Sequence, residues 1–205
     1  VHAIKPKPQH RLRRWLAGIT LTIMTVGCGT DMEGPGRPVD KATRRQQLFQ
    51  ELMKRPDIDQ ATQRYSEMVT TLRTRLESET GVGNWYEDPG SAGGALCGHN
   101  FVDVDGRDKA TRGLPLWVSD GKVPDDKWTR MVEIAHEVAR KYEFETPLRV
   151  IVDRPGDHEV TAADAFGADL KLGTKINTIL SIRTGCHLTA VAHQRGTPTL
   201  PDYGG

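Results

Sequence analysis

The first 28 residues constrain this chain most, because they set apart a segment with no place in a globular core. Lys5, Lys7, Arg11, Arg13 and Arg14 precede an apolar run from Trp15 to Val26, and small Gly27 then stands before Cys28. A basic end, a short apolar stretch and a small residue are the three parts of a secretory signal. Spanning a bilayer takes about 20 apolar residues, and this run is shorter and carries three threonines. Thr25-Val-Gly-Cys28 further matches a lipobox, the site at which a diacylglycerol is attached to the cysteine thiol before cleavage in front of it. Thr25 stands where an apolar residue is usual, so cleavage nearby with Cys28 left as a plain thiol is the rival reading. The expected address is therefore the extracytoplasmic face of the cell membrane, with the chain anchored through a lipid on Cys28. Two or three acyl chains suffice for that, since one binds only marginally.

Export gives the cysteines meaning. If a lipid consumes Cys28 of the three, Cys97 and Cys186 are left in an oxidising compartment. One intramolecular bridge, Cys97–Cys186, is then available, with two buried free thiols as the alternative. Charge excludes a class of partner. Removing the five N-terminal cations from 28 basic residues leaves 23 against 27 acidic ones, a formal charge of −4. An acidic domain is poorly suited to nucleic acid, whose binding depends on clustered Lys and Arg.

The chain divides into a signal (1–27), a Gly- and Pro-rich lipid-anchored tether (28–39), one domain (40–194) and a loose tail (195–205). Asp40 is expected to cap a helix through Leu48, Phe49, Leu52 and Met53, ending before Pro56. Asp59 is expected to cap a longer one, with Tyr65, Met68, Val69, Leu72 and Leu76 on one face, Arg73 largely off it, and Gly81 as the stop. Trp85–Glu87 reads as a short strand followed by a loop over 88–94. Leu114–Val118 reads as an edge strand because of Pro115. Asp125 or Asp126 is expected to cap the clearest helix, which turns Trp128, Met131, Val132, Ala135, Val138, Ala139 and Tyr142 inward. Leu148–Val152 is apolar enough for a central strand, and Ala168–Leu172 and Thr178–Thr184 alternate as a hairpin around 173–177. The fold class expected is α+β: an antiparallel sheet with helices packed on one face, preceded by two N-terminal helices.

Several residues together point further. The lipobox, Gly94-Ala-Leu-Cys97, the Trp128 helix ending Ala139-Arg-Lys-Tyr142, and Thr184-Gly-Cys186 resemble the mycobacterial lipoproteins of the LppA/LppB type, from the signal to about Leu188. The resemblance implies a cell-envelope lipoprotein with Cys97 and Cys186 at the family's paired cysteine positions. It implies no reaction and supplies no catalytic residue.

Chemistry-bearing motifs are incomplete. His136-Glu-Val-Ala-Arg140 lacks the second histidine of a zinc-protease helix, because a guanidinium cannot ligate metal. His99 and His187 would be brought near each other by the proposed bridge, but two imidazoles are half a zinc site. His158 and His193 fall in expected loops or near strand ends. Asp153, Asp157, Glu159, Asp164 and Asp169 lack the spacing of a calcium loop. No nucleophile elbow or phosphate-cradling glycine loop is present. The expectation is a non-catalytic domain, needing no metal or cofactor, that binds an envelope lipid, glycan or protein. The alternative is an envelope hydrolase whose Ser, His and Asp come from distant positions.

Overall fold

The computed structural model describes residues 40–95, 97–145 and 147–200. The signal, Cys28 and the tether lie outside the described residues. The elements run α1 (Lys41–Met53), α2 (Ile58–Thr80), β1 (Tyr86–Glu87), β2 (Gly93–Ala95), a 3-10 turn (His99–Phe101), β3 (Lys109–Gly113), β4 (Trp117–Ser119), α3 (Asp125–Lys141), β5 (Arg149–Arg154), β6 (Asp157–Ala163), β7 (Asp169–Thr174), β8 (Thr178–Arg183), β9 (His187–Leu188) and α4 (Ala190–Arg195). The main sheet is antiparallel in the order β1-β4-β8-β7-β6-β5, with β3 joining β8 to β2 and β9. This is the expected combination of antiparallel sheet and helices.

The helix starts follow capping chemistry, though not always at the expected residue. Asp40 accepts from the backbone N–H groups of Ala42 and Thr43 and so caps α1. The cap of α2 is Asp57 rather than Asp59, because Asp57 and Gln60 form a reciprocal capping box. Asp59 falls in the first turn, where its charge suits the helix dipole. Gly81 ends α2 in the left-handed region at φ 76°. Neither Asp125 nor Asp126 caps α3. Pro124 occupies that position without a side-chain bond, and both acids sit in the first turn.

One core lies between the sheet and the pair α2–α3. Tyr65, Met68, Leu72 and Leu76 of α2 and Met131, Ile134 and Val138 of α3 bury against Leu170, Leu172, Leu180 and Ile182. Arg73 is not simply off the packed face: its guanidinium lies 3.2 Å from the Trp117 ring centroid. A smaller core joins Phe49 and Leu52 of α1 to Phe101, Val104, Leu188 and Ala192.

Three strand expectations need correction, and one strand comes without an expectation. Leu148–Val152 is not a central strand; β5 is the sheet edge, and Val150 is 60% exposed. Pro115 precedes β4, which lies inside the sheet between β1 and β8 and is no edge. The loop expected over 88–94 gives way at Gly93 to β2, which pairs with β3. β6 has no counterpart among these expectations, and it pairs with β7 from His158 to Ala163.

The tail is also not loose at its start. Buried Asp108 accepts from Arg195 Nη2, from Thr199 N–H and from the Thr199 hydroxyl, each at 2.6 Å. Burial pushes this carboxyl up, but the Thr199 and Arg195 donors outweigh it and hold it below its ordinary value.

Candidate functional site

A groove opens where α3 runs beside the edge strand. Asp125 does not cap its helix; it accepts from Gly156 N–H at 2.9 Å and faces His158 Nε2 at 3.2 Å. The other ring nitrogen of His158, Nδ1, lies 2.7 Å from Asp153 Oδ1. The imidazole stacks on Trp128, with centroids 5.1 Å apart and planes 15° from parallel. This clamp fixes the β5–β6 hairpin to the start of α3. Hydrogen bonds to Gly156 and then to His158 hold the Asp125 carboxyl below its ordinary value. A bulge between Val150 and Val152 rotates the edge, so Val150 pairs with Val160 while Val152 pairs with Glu159.

The resulting cavity holds about 320 Å³ and is lined by Trp128, Val132, Leu148, Val150 and Val160, among others. Thr129, Glu133, His136 and Asp153 are its polar lining residues, and no serine is among them. Aliphatic walls with a few polar groups are the usual makeup of a small-molecule site. Both nitrogens of His158 face carboxylates, so the ring is engaged on both sides.

A second cavity, about 310 Å³, lies beside the disulfide. Cys97 and Cys186 are joined with their Cα atoms 5.2 Å apart. Arg55 braces this region from the α1–α2 junction. Its Nη1 donates at 3.0 Å to both the Phe166 and Cys186 carbonyls. The guanidinium sits 4.8 Å from the Phe101 centroid and 5.6 Å from that of Phe166. Gly185 passes so close to Phe166 that a Cβ there would lie 1.9 Å from the Phe166 carbonyl oxygen.

The histidines singled out in the sequence do not converge. His136 lines the groove, Arg140 is exposed, and His158 forms the clamp. The backbone of His99 starts the 3-10 turn; its side chain lies outside the described residues. His187 is fully buried, its Nδ1 is 2.8 Å from the Pro56 carbonyl, and its Nε2 has no partner among the described residues. Among the described residues no three His, Cys, Asp or Glu side chains gather as a metal site. The five carboxylates considered for calcium are dispersed: Asp164, for instance, accepts from the Phe166 and Ala168 N–H groups and from the Tyr65 hydroxyl. Burial and this carboxylate together raise the Tyr65 hydroxyl well above its ordinary range. Among the described residues no helix is long and apolar enough to cross a membrane.

Composition and spacing give no sign of Arg55 or the Asp125–His158–Asp153 clamp, because each acts through a partner far away in the chain or on another element.

His187 should make the fold acid-sensitive. Burial lowers its pKa from 6.5, against the Pro56 hydrogen bond, and nearby Arg55 lowers it further while Asp164 and Asp57 oppose. The unfolded chain therefore takes up a proton first, and stability falls as pH drops below about 6.5. Urea midpoints between pH 7.5 and 5 should decline more steeply for the native chain than for His187→Gln. Parallel declines would show that His187 does not titrate in this way.

The comparisons agree with this picture of the fold. The family described as LppA, a lipoprotein confined to pathogenic Mycobacterium, matches residues 33–190. A crystal structure of the lipoprotein LppA from Mycobacterium tuberculosis superposes with a TM-score of 0.61 at 15% identity, over 76% of this chain and 92% of that one. A DUF4853 family protein from Actinomyces odontolyticus reaches a TM-score of 0.49 at 16% identity, over 74% and 76%, a likeness too weak to argue from. No curated protein matches the chain. With the family's model spanning most of the domain, the chain belongs to the LppA family of lipoproteins.

Proposed function

We propose that the domain is a non-catalytic binding module of the cell envelope, held on the extracytoplasmic face of the membrane by a lipid on Cys28. Its ligand is an acyl chain of an envelope lipid, taken into the groove between α3 and β5. The observation that carries this reading is the aliphatic lining of that groove, open at an edge strand, with its histidine–aspartate pair already spent as a structural clamp. At about 320 Å³ it stands at the small end of ligand pockets and suits one chain segment rather than a whole lipid. Burying about ten methylenes at about 0.8 kcal/mol each would contribute about 8 kcal/mol, the micromolar range. A lipid-anchored domain also meets such chains at high effective concentration.

The test uses Trp128, which lines the groove, as reporter. A bromine-labelled fatty acid should quench the tryptophan emission saturably at micromolar concentrations. Val150→Asp, at a position 60% exposed and so tolerant of a charge, should weaken binding at least about tenfold. Absence of saturable quenching, or an unaltered Val150→Asp variant, would refute the acyl-chain site. The hydrolase alternative predicts turnover in esterase, phosphatase or peptidoglycan-hydrolase assays, where the binding reading predicts none.

A further inference from the structure

We infer that the cavity beside the Cys97–Cys186 bridge is a second binding site, which takes a small carboxylate- or phosphate-bearing ligand through Arg183. The cavity shares no lining residue with the groove, and its character is different. Its walls include Phe101, Phe166 and the backbone of Gly98, Gly167 and Gly185, while Asn100 and Arg183 bring donors to it.

The cations at this end of the sheet have distinct fates. Arg55 is saturated by two carbonyls and by Glu51, and Arg112 pairs with Asp59 at 3.0 Å. Arg183 ends β8 opposite Asp169 of β7 and Gly113 of β3. The Asp169 carboxylate instead accepts from the Thr161 hydroxyl at 2.8 Å. Arg183 forms no ion pair or hydrogen bond through its side chain among the described residues. Arg183, exposed and among the residues that line the cavity, thus keeps both donor edges unused among the described residues, and that fork matches carboxylate and phosphate oxygens. Concave walls with low-dielectric rings strengthen the attraction for an anion.

The site is also preformed. The disulfide holds the Cys97 side to Cys186, and Arg55 ties the Phe166 and Cys186 carbonyls together. Little ordering is then required when a ligand enters. A Cβ at Gly98 or Gly167 would meet nothing within 4 Å, so the backbone there is open to a ligand.

The experiment is a calorimetric titration of the full chain, purified from membranes in detergent. The probes are inorganic phosphate, glucuronate and, as uncharged control, glucose. At least one anion should bind saturably and glucose should not; which anion binds tells phosphate from carboxylate recognition. Arg183→Gln should weaken binding at least about tenfold, and Arg183→Lys, which keeps the charge but loses the fork, should fall between. Arg149→Gln, on the distant β5, should bind as the native chain does. The inference is overturned if neither anion binds, if Arg183→Gln binds unchanged, or if Arg149→Gln and Arg183→Gln weaken binding equally, which would mark diffuse surface charge.

Discussion

Replacing both Cys97 and Cys186 with serine should lower the stability of the domain by about 3–5 kcal/mol. The bridge spans 89 residues, and closing a loop of that length in the unfolded chain is worth about 4–5 kcal/mol in the chain-entropy model. Its position adds to the effect. The segment between β2 and β3 is short of regular structure, and Cys186 belongs to the smaller core with Phe101, Val104 and Leu188. Without the bridge, the α1 side of the molecule depends on that small core, on Arg55 and on the Arg44 and Arg45 bonds to Asp103. Urea unfolding of the oxidised chain and of the double serine variant measures the difference. A loss under about 1 kcal/mol would mean that the unfolded chain is not constrained as the loop length implies.

Gly185→Ala should be nearly as damaging, at about 3 kcal/mol, although it adds a single methyl group. The new Cβ would meet the Phe166 oxygen at 1.9 Å, its carbonyl carbon at 2.6 Å and Gly167 backbone at 3.2 Å. These neighbours are backbone, and neither side is free to yield. Phe166 O is held by Arg55, and the next residue after Gly185 is half of the disulfide. The contrast is Gly98→Ala in the same cavity wall, where a Cβ meets nothing within 4 Å and little change is expected. Thermal unfolding of the two variants tests the pair. Equal melting temperatures would show that the close approach relaxes at little cost.

How far the sequence could be read depended on whether a residue's role is set locally. Asp40 and Gly81 act on their own helix ends, and both were legible. Leu170 and Leu172, alternating with Asp169 and Lys171, announced a strand with one buried face, and β7 has that pattern. Asp57 was missed because the choice between two nearby acids turned on Gln60 completing the capping box.

β5 misled for a physical reason. Val150-Ile-Val152 has the composition of a strand covered on both sides, but position in a sheet is decided by the other strands. The β6–β7–β8 meander takes the interior, and the apolar run remains at the edge, where it lines a groove. That misreading bears on function, because an apolar residue exposed without a structural partner is what a binding surface needs. The two cavities were likewise invisible in the sequence. Each gathers residues from several elements, such as Trp128 with Val150 and Val160, or Asn100 with Arg183.

The central claim, that this lipoprotein domain carries an acyl chain in the α3–β5 groove, is tested most directly by native mass spectrometry of the protein extracted from its own envelope. The account predicts a noncovalent adduct with the mass of a lipid, on top of the covalent acyl groups at Cys28, and loss of that adduct in Val150→Asp. A protein of bare covalent mass, or an adduct equally abundant in Val150→Asp, would contradict it.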